Sequence, residues 1–116
     1  MLEILAMKGD YDFNVQAYDG NNLLSIAVVL DAAKIVDILL KHETVDPNLQ
    51  DINGHTPLMK AANNGYKGIV KLFLVCERTN IGMVDMDGLT AFDWAVYAGN
   101  AVIATWLRNE ITPPII

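Results

Sequence analysis

Gly20, Gly54 and Gly88 stand 34 residues apart, and the chain around each is a variation on one line. The segments AYDGNNLLSIAVVLDAAKIVDILL from Ala17, DINGHTPLMKAANNGYKGIVKLFL from Asp51 and DMDGLTAFDWAVYAGNAVIATWL from Asp85 align without a gap. A fixed period of this size leads a chain to stacked supersecondary units, each burying its apolar face on its neighbours. Such stacks present extended surfaces and rarely carry chemistry of their own.

The middle unit shows what one repeat is. Thr56-Pro57 predicts a helix start: a threonine hydroxyl accepts from an orphan N–H, and proline at the first helical position has no N–H to leave unpaired. Leu58, Ala61 and Ala62 then fall at i, i+3 and i+4, one face of a short helix, with two alanines small enough to let another helix approach. Gly65 sits where a left-handed residue ends that helix. Ile69, Val70, Phe73 and Leu74 form the apolar face of a second helix. The following ERTNIGMVDMDG is rich in turn formers and reads as a hairpin-like connection. The unit is helix, tight turn, helix, projecting loop.

These residues closely resemble an ankyrin repeat. The family pattern, roughly D-x-x-G-x-T-P-L-H-x-A-A-x-x-G-x-x-x-I-V-x-x-L-L, is matched by Asp51, Gly54, Thr56, Pro57, Leu58, Ala61, Ala62, Gly65, Ile69, Val70 and Leu74, with Phe73 in the first Leu position. Met59 replaces the histidine, which removes a side-chain contact common in the family. The resemblance implies an all-α, ankyrin-type solenoid of stacked helix–turn–helix repeats with projecting hairpin-like loops. It covers nearly the whole chain as one domain: a partial repeat over 1–16, repeats over 17–50 and 51–84, and a C-terminal repeat with tail over 85–116.

The flanking repeats depart from the pattern. In 17–50, Asn22-Leu23 replaces Thr-Pro and Asp31 replaces the inter-helix glycine, at some conformational cost. Its second helix keeps Ile35, Val36, Leu39 and Leu40, and its weaker caps make it the more sensitive repeat to mutation. In 85–116, Thr90-Ala91-Phe92-Asp93 replaces Thr-Pro-Leu-His, while Gly99, Ile103 and Leu107 keep their places. One period back, Asp12-Phe13-Asn14-Val15-Gln16 aligns with Asp46-Pro47-Asn48-Leu49-Gln50. The first repeat lacks its first helix, so Met1, Leu2, Ile4 and Leu5 are expected to leave an uncovered face. Ala101, Val102 and Trp106 give a last helix that is not clearly polar outside; Pro113-Pro114 stops it, ahead of the apolar Ile115-Ile116. Two expectations follow: an excerpt of a longer array, or self-association through an uncapped end.

Composition narrows the function classes. The chain is 53% apolar and 19% charged with a net charge of −6, and its eight Lys and Arg are scattered singly. Nucleic acid and anionic membrane surfaces are therefore not expected as ligands. No apolar run approaches a membrane span, and no signal-peptide pattern opens the chain. One cysteine, Cys76, suits a reducing compartment, so cytoplasm or nucleus is the expected location.

No constellation of residues calls for catalysis, a cofactor or a metal. His42 and His55 lie in different repeats without ligand spacing, and a surface role is expected for both. Cys76 has no base near it in sequence and reads as a packed thiol. Asp10/Asp12 and Asp85/Asp87 are close pairs that lack an enclosing cleft, and the recurring loop residues Asp51 and Asp85 read as structural. Trp94 and Trp106 align with core positions rather than interface anchors.

Within the family, loop tips and the exposed side of the first helix line one concave face. The resemblance carries that role to the tip residues Tyr18, Asp19, Asn21, Ile52, Asn53, His55, Met86, Asp87 and Leu89, and to Val29, Leu30, Asn63, Asn64, Tyr97 and Ala98 on the first helices. Tyr18, Ile52, Met86 and Tyr97 are the chosen anchors, because apolar residues in an exposed row mark interaction surfaces. The competing expectation is that the loops pack sideways and bury them. The expected function is non-catalytic protein–protein binding, as a scaffold or adaptor does, with Asp19 and Asp87 compatible with a basic partner. The alternative is a structural solenoid segment.

Overall fold

The computed structural model describes residues 12–111. The expectations placed on Met1–Leu5, on Asp10, on Pro113-Pro114 and on Ile115-Ile116 lie outside those residues. Among the described residues the chain forms three helix pairs: α1 (Leu23–Val29) with α2 (Ala33–Lys41), α3 (Pro57–Asn64) with α4 (Lys67–Val75), and α5 (Ala91–Tyr97) with α6 (Ala101–Ile111). The first helices form an inner row, α1 on α3 and α3 on α5, and α2 packs on α4 behind them.

Each inner helix starts at a side-chain cap. Asn22, Thr56 and Thr90 accept from the N–H of Ser25, Met59 and Asp93. Asp93 returns the contact, accepting from the Thr90 N–H at 3.0 Å. Met59 keeps a weak form of it: its sulfur receives the Thr56 N–H at 3.4 Å, so the family's histidine contact is replaced rather than lost. The turn to the second helix needs a left-handed residue in every pair. Gly65 and Gly99 supply it at φ 76° and 77°, and Asp31 holds it at φ 55°.

The core runs through all three pairs without interruption, from Phe13 and Leu24 through Leu58, Ile69 and Phe73 to Ile103 and Leu107. Two expected core residues differ. Ile35 is exposed although its counterparts Ile69 and Ile103 are buried, and Leu74 is half-buried. The helical stripe fixes which way a residue faces along its own helix. It does not fix how much of a neighbouring unit covers it.

Candidate partner-binding face

The three tip loops are built alike and locked to one another. In each, an N–H and a C=O close the loop: Ala17 N–H to Asn21 O (2.8 Å), Asp51 to His55 (3.0 Å), Asp85 to Leu89 (2.9 Å). Between loops, the Ile52 N–H donates to Asp19 O at 3.2 Å and the Met86 N–H donates to Asn53 O at 3.0 Å. Gly20 and Gly54 make this possible twice over. Both have positive φ, and a Cβ on Gly20 would stand 2.6 Å from Asp51 Cα, one on Gly54 2.9 Å from Met86 N.

Asp51 and Asp85 hold their loops from within. The Asp51 carboxylate accepts the N–H of Asn53 and of His55, and that of Asp85 accepts the N–H of Asp87 and of Leu89. Burial works to raise both carboxyls. For Asp51, Lys60 and the two N–H donors outweigh it; for Asp85, the Leu89 N–H, the Trp94 indole and the Asp87 N–H do so, with His55 adding to them. Both end below the usual carboxylate range, as does exposed Asp19 through Asn21. The structural role expected for Asp51 and Asp85 is what the loops show.

A polar chain runs beneath the tips. Lys60 Nζ reaches Asn21 Oδ1 in one direction and Asp51 Oδ2 at 2.9 Å in the other. His55 lies between two carboxylates, Nδ1 3.7 Å from Asp51 and Nε2 3.4 Å from Asp85. Its ring meets Trp94 edge-on, and the Trp94 indole donates to Asp85 Oδ2 at 2.8 Å. His55, Met59, Lys60, Asn63 and Trp94 line a depression of about 70 Å³ between the tips and α3. Trp94 and Trp106 are both half-buried and packed against the core, Trp94 at the base of the tips and Trp106 under the Lys71 ammonium at 5.1 Å.

Of the fourteen residues expected to bind a partner, Tyr18, Asp19, Val29, Leu30, Ile52, Asn53, Asn63, Asn64, Met86, Asp87 and Tyr97 are exposed, as is Ala98 beside them. Asn21, His55 and Leu89 are half-buried, because the first two belong to the polar chain and Leu89 closes its loop through Asp85. Tyr18 is 100% exposed, Met86 77%, Tyr97 72% and Ile52 62%, so sideways packing of the loops does not bury them.

Gln16 and Gln50, one period apart, hold this face in place alike: Gln16 Nε2 donates to Gly20 O and Gln50 O, and Gln50 Nε2 donates to Gly54 O and Val84 O, stitching loop to loop. Two further residues that hold it gave no repeat signal. The Arg78 guanidinium donates to carbonyls of Leu40, His42, Glu43 and Val45 at the end of α2, where a cation also meets the helix dipole. Asn100 Nδ2 donates to Ala62 O at 2.7 Å at the end of α3. Elsewhere, His42 caps α2 and its ring lies 4.9 Å from Phe13, while Cys76 is half-buried at the end of α4. Among the described residues no group of three or more His, Cys, Asp or Glu could hold a metal, and no helix is long and apolar enough to cross a membrane.

Comparison with known proteins gives the same architecture. The family model described as "Ankyrin repeats (3 copies)" matches residues 24–114. The chain is 34% identical over 96 residues to neurogenic locus notch homolog protein 2 of Homo sapiens, which covers 83% of this chain. It is 31% identical over 105 residues to neurogenic locus notch homolog protein 1 of Xenopus laevis, covering 90%, and 31% over 99 residues to that of Danio rerio, covering 85%. The chain spans about 4% of the length of these curated relatives.

Proposed function

Because this chain belongs to the ankyrin repeat family, whose members are generally non-catalytic protein-interaction modules, we propose that it binds a partner protein through its tip loops and the ends of its inner helices. The observation that carries the proposal is the exposure of Tyr18, Ile52 and Met86 at the same register of three interlocked loops. Large apolar groups so placed gain from being covered, and a scaffold already rigid loses little freedom when they are. Asp19 and Asp87 beside them favour a basic partner over nucleic acid or a membrane surface. A half-buried free thiol at Cys76 supports work in the cytoplasm or nucleus, as an adaptor or scaffold.

The test compares proteins retained from a cytosolic extract by the wild type and by a Tyr18→Ala, Ile52→Ala, Met86→Ala, Tyr97→Ala variant of unchanged helicity. Retention by the wild type and loss by the variant is expected; identical catches count against this face.

A second reading, self-stacking, rests on the third helix pair. Val28 and Ala62 are 0% exposed, whereas Val96 at the same register is 52% exposed. With Phe92, Ala104 and Arg108 it lines an open cavity of about 270 Å³. Light scattering at high concentration separates the readings, since a monomer that still binds its partner excludes self-stacking.

A further inference from the structure

We propose that the row Tyr18–Ile52–Met86 receives a basic protein segment in polyproline II conformation with an apolar side chain at every third residue. The proposal rests on the protein-binding reading above and specifies what that face recognises.

The row is a ruler. Its three side chains occupy one register of three loops, and those loops are held together by the backbone hydrogen bonds Ile52 N–H to Asp19 O and Met86 N–H to Asn53 O. Their spacing follows that of the packed inner helices, about 8–10 Å. A partner that uses all three anchors must therefore present apolar groups in line at that interval.

Three regular conformations can be set against the ruler. A β-strand repeats its face about every 6.6 Å, and its affinity comes from main-chain hydrogen bonds. Here the inner tip N–H groups of Ile52 and Met86 are already given to neighbouring tips, so that source of affinity is spent. An α-helix returns to its face after three or four residues, about 4.5–6 Å, and again after seven, about 10.5 Å, so the spacing falls between its returns, and its stripe drifts about 20° per heptad. Polyproline II returns every three residues, about 9.3 Å, with its backbone fully solvated and in need of no partner. It matches the spacing, asks only for side-chain contacts, and is preformed, so it adds little ordering cost to a scaffold that is itself rigid.

Charge fixes the neighbouring residue. Beside the row runs a second register, Asp19, Asn53 and Asp87, all exposed, with Asp19 held ionised by the Asn21 N–H and side chain. In a chain of net charge −6 the two carboxylates of this row favour Lys or Arg beside the apolar residues that meet Tyr18 and Met86.

The experiment uses three labelled peptides and the whole chain. The first repeats Ile-Lys-Pro; the second has the same length and charge with Ile at every second residue; the third is an alanine-rich helix with Ile every seventh residue and equal charge. Fluorescence anisotropy is expected to show the first binding at least roughly tenfold more tightly than the others, and weakening with salt. Ile52→Ser should weaken it by roughly tenfold, whereas Val75→Ser, more exposed still but on the outer helix α4, should not. Equal binding of all three peptides, no binding of the first at millimolar concentration, or an unchanged Ile52→Ser affinity overturns the proposal. If the quadruple variant still loses its natural partner while the peptides show no preference, the face stands and the segment chemistry falls. If that variant keeps its partner, both fall.

Discussion

The first and second tip loops do the same job with different means. The second has Asp51 at its base, gathering two loop N–H groups and the Lys60 ammonium. The first has Ala17 there, and the carboxylate that supports it is that of Asp19, which accepts the Asn21 N–H alone. The contrast continues along the unit, with Thr56-Pro57 against Asn22-Leu23 and Gly65 against Asp31. Yet both loops close with the same backbone bonds, and both lead into helices with a fully buried apolar face. In a stack, a unit with weak local signals takes its conformation from the neighbour: the Gln16 amide, the Lys60 ammonium and the Ile52 N–H all tie the first loop to the second.

If neighbours carry this much, position in the stack should decide the cost of a mutation more than residue type does. The largest effect is expected at Leu58, 2% exposed between the flanking inner helices. Leu58→Ala should cost roughly 2–5 kcal/mol in denaturant melts. Phe92→Ala, the same register in the third pair but only half-buried, should cost less although it removes a larger group. Equal losses would mean that the third pair has a cover of its own.

The tip glycines sharpen the contrast, because Gly54 and Gly88 share their φ (81° and 77°) and differ only in surroundings. A Cβ on Gly54 meets the backbone of Asp85 and Met86, and one on Gly88 meets nothing within 4 Å. Gly88→Ala should lose about 1 kcal/mol for the left-handed backbone alone. Gly54→Ala should lose about 1–3 kcal/mol more, because the third loop must move away. Gly54→Val should be worse still. Indistinguishable melts for the two alanine variants would show that the loops separate freely.

Acid should loosen the second and third loops more than the first, whose Asp19 carboxylate holds one loop N–H where Asp51 and Asp85 each hold two. Asp51 and Asp85 are held below their ordinary values, so the stability they contribute is present above about pH 4 and is lost as pH falls through their folded values. Asp51→Asn with Asp85→Asn should lower stability at neutral pH and flatten its decline between about pH 5 and 2. Protection of the loop amides of Asn53, His55, Asp87 and Leu89, taken against the intrinsic exchange rate at each pH, should fall further in acid than that of Asn21. A uniform response across the three loops would separate acid lability from these carboxylates.

Much of this was legible in the sequence because the stack is periodic. Thr56, Thr90 and Asn22 cap where the register puts them, and Asp31 takes the left-handed place of a glycine because the chain must turn there. The outward register of Tyr18, Ile52 and Met86 was legible for the same reason. What escaped were contacts between unlike residues of different units. Arg78 on the end of α2, Asn100 on the end of α3 and Lys60 between Asn21 and Asp51 each occur in one repeat only, so no period announces them. His55 sits at a tip by register, but Asp85 and Trp94 of the next unit draw it inward.

The smallest effect tests the comparison from the weaker side. Ala17→Asp places in the first loop the carboxylate that the second has. Its register puts it beside the N–H groups of Asp19 and Asn21, so two hydrogen bonds become available. The gain should nonetheless be only about 0.5 kcal/mol, the low end for such bonds. The Asn21 N–H already has the Asp19 carboxylate as its acceptor, at 3.0 Å. The position matching Lys60 is Ile26, so no ammonium waits for the new charge, and Asp19 repels it. Asp51→Ala should cost more than Ala17→Asp gains, because it also strips Lys60, half-buried, of its carboxylate. Matching magnitudes would mean that the carboxylate stabilises each loop alone. The expected asymmetry would mean that its value comes from the neighbouring unit.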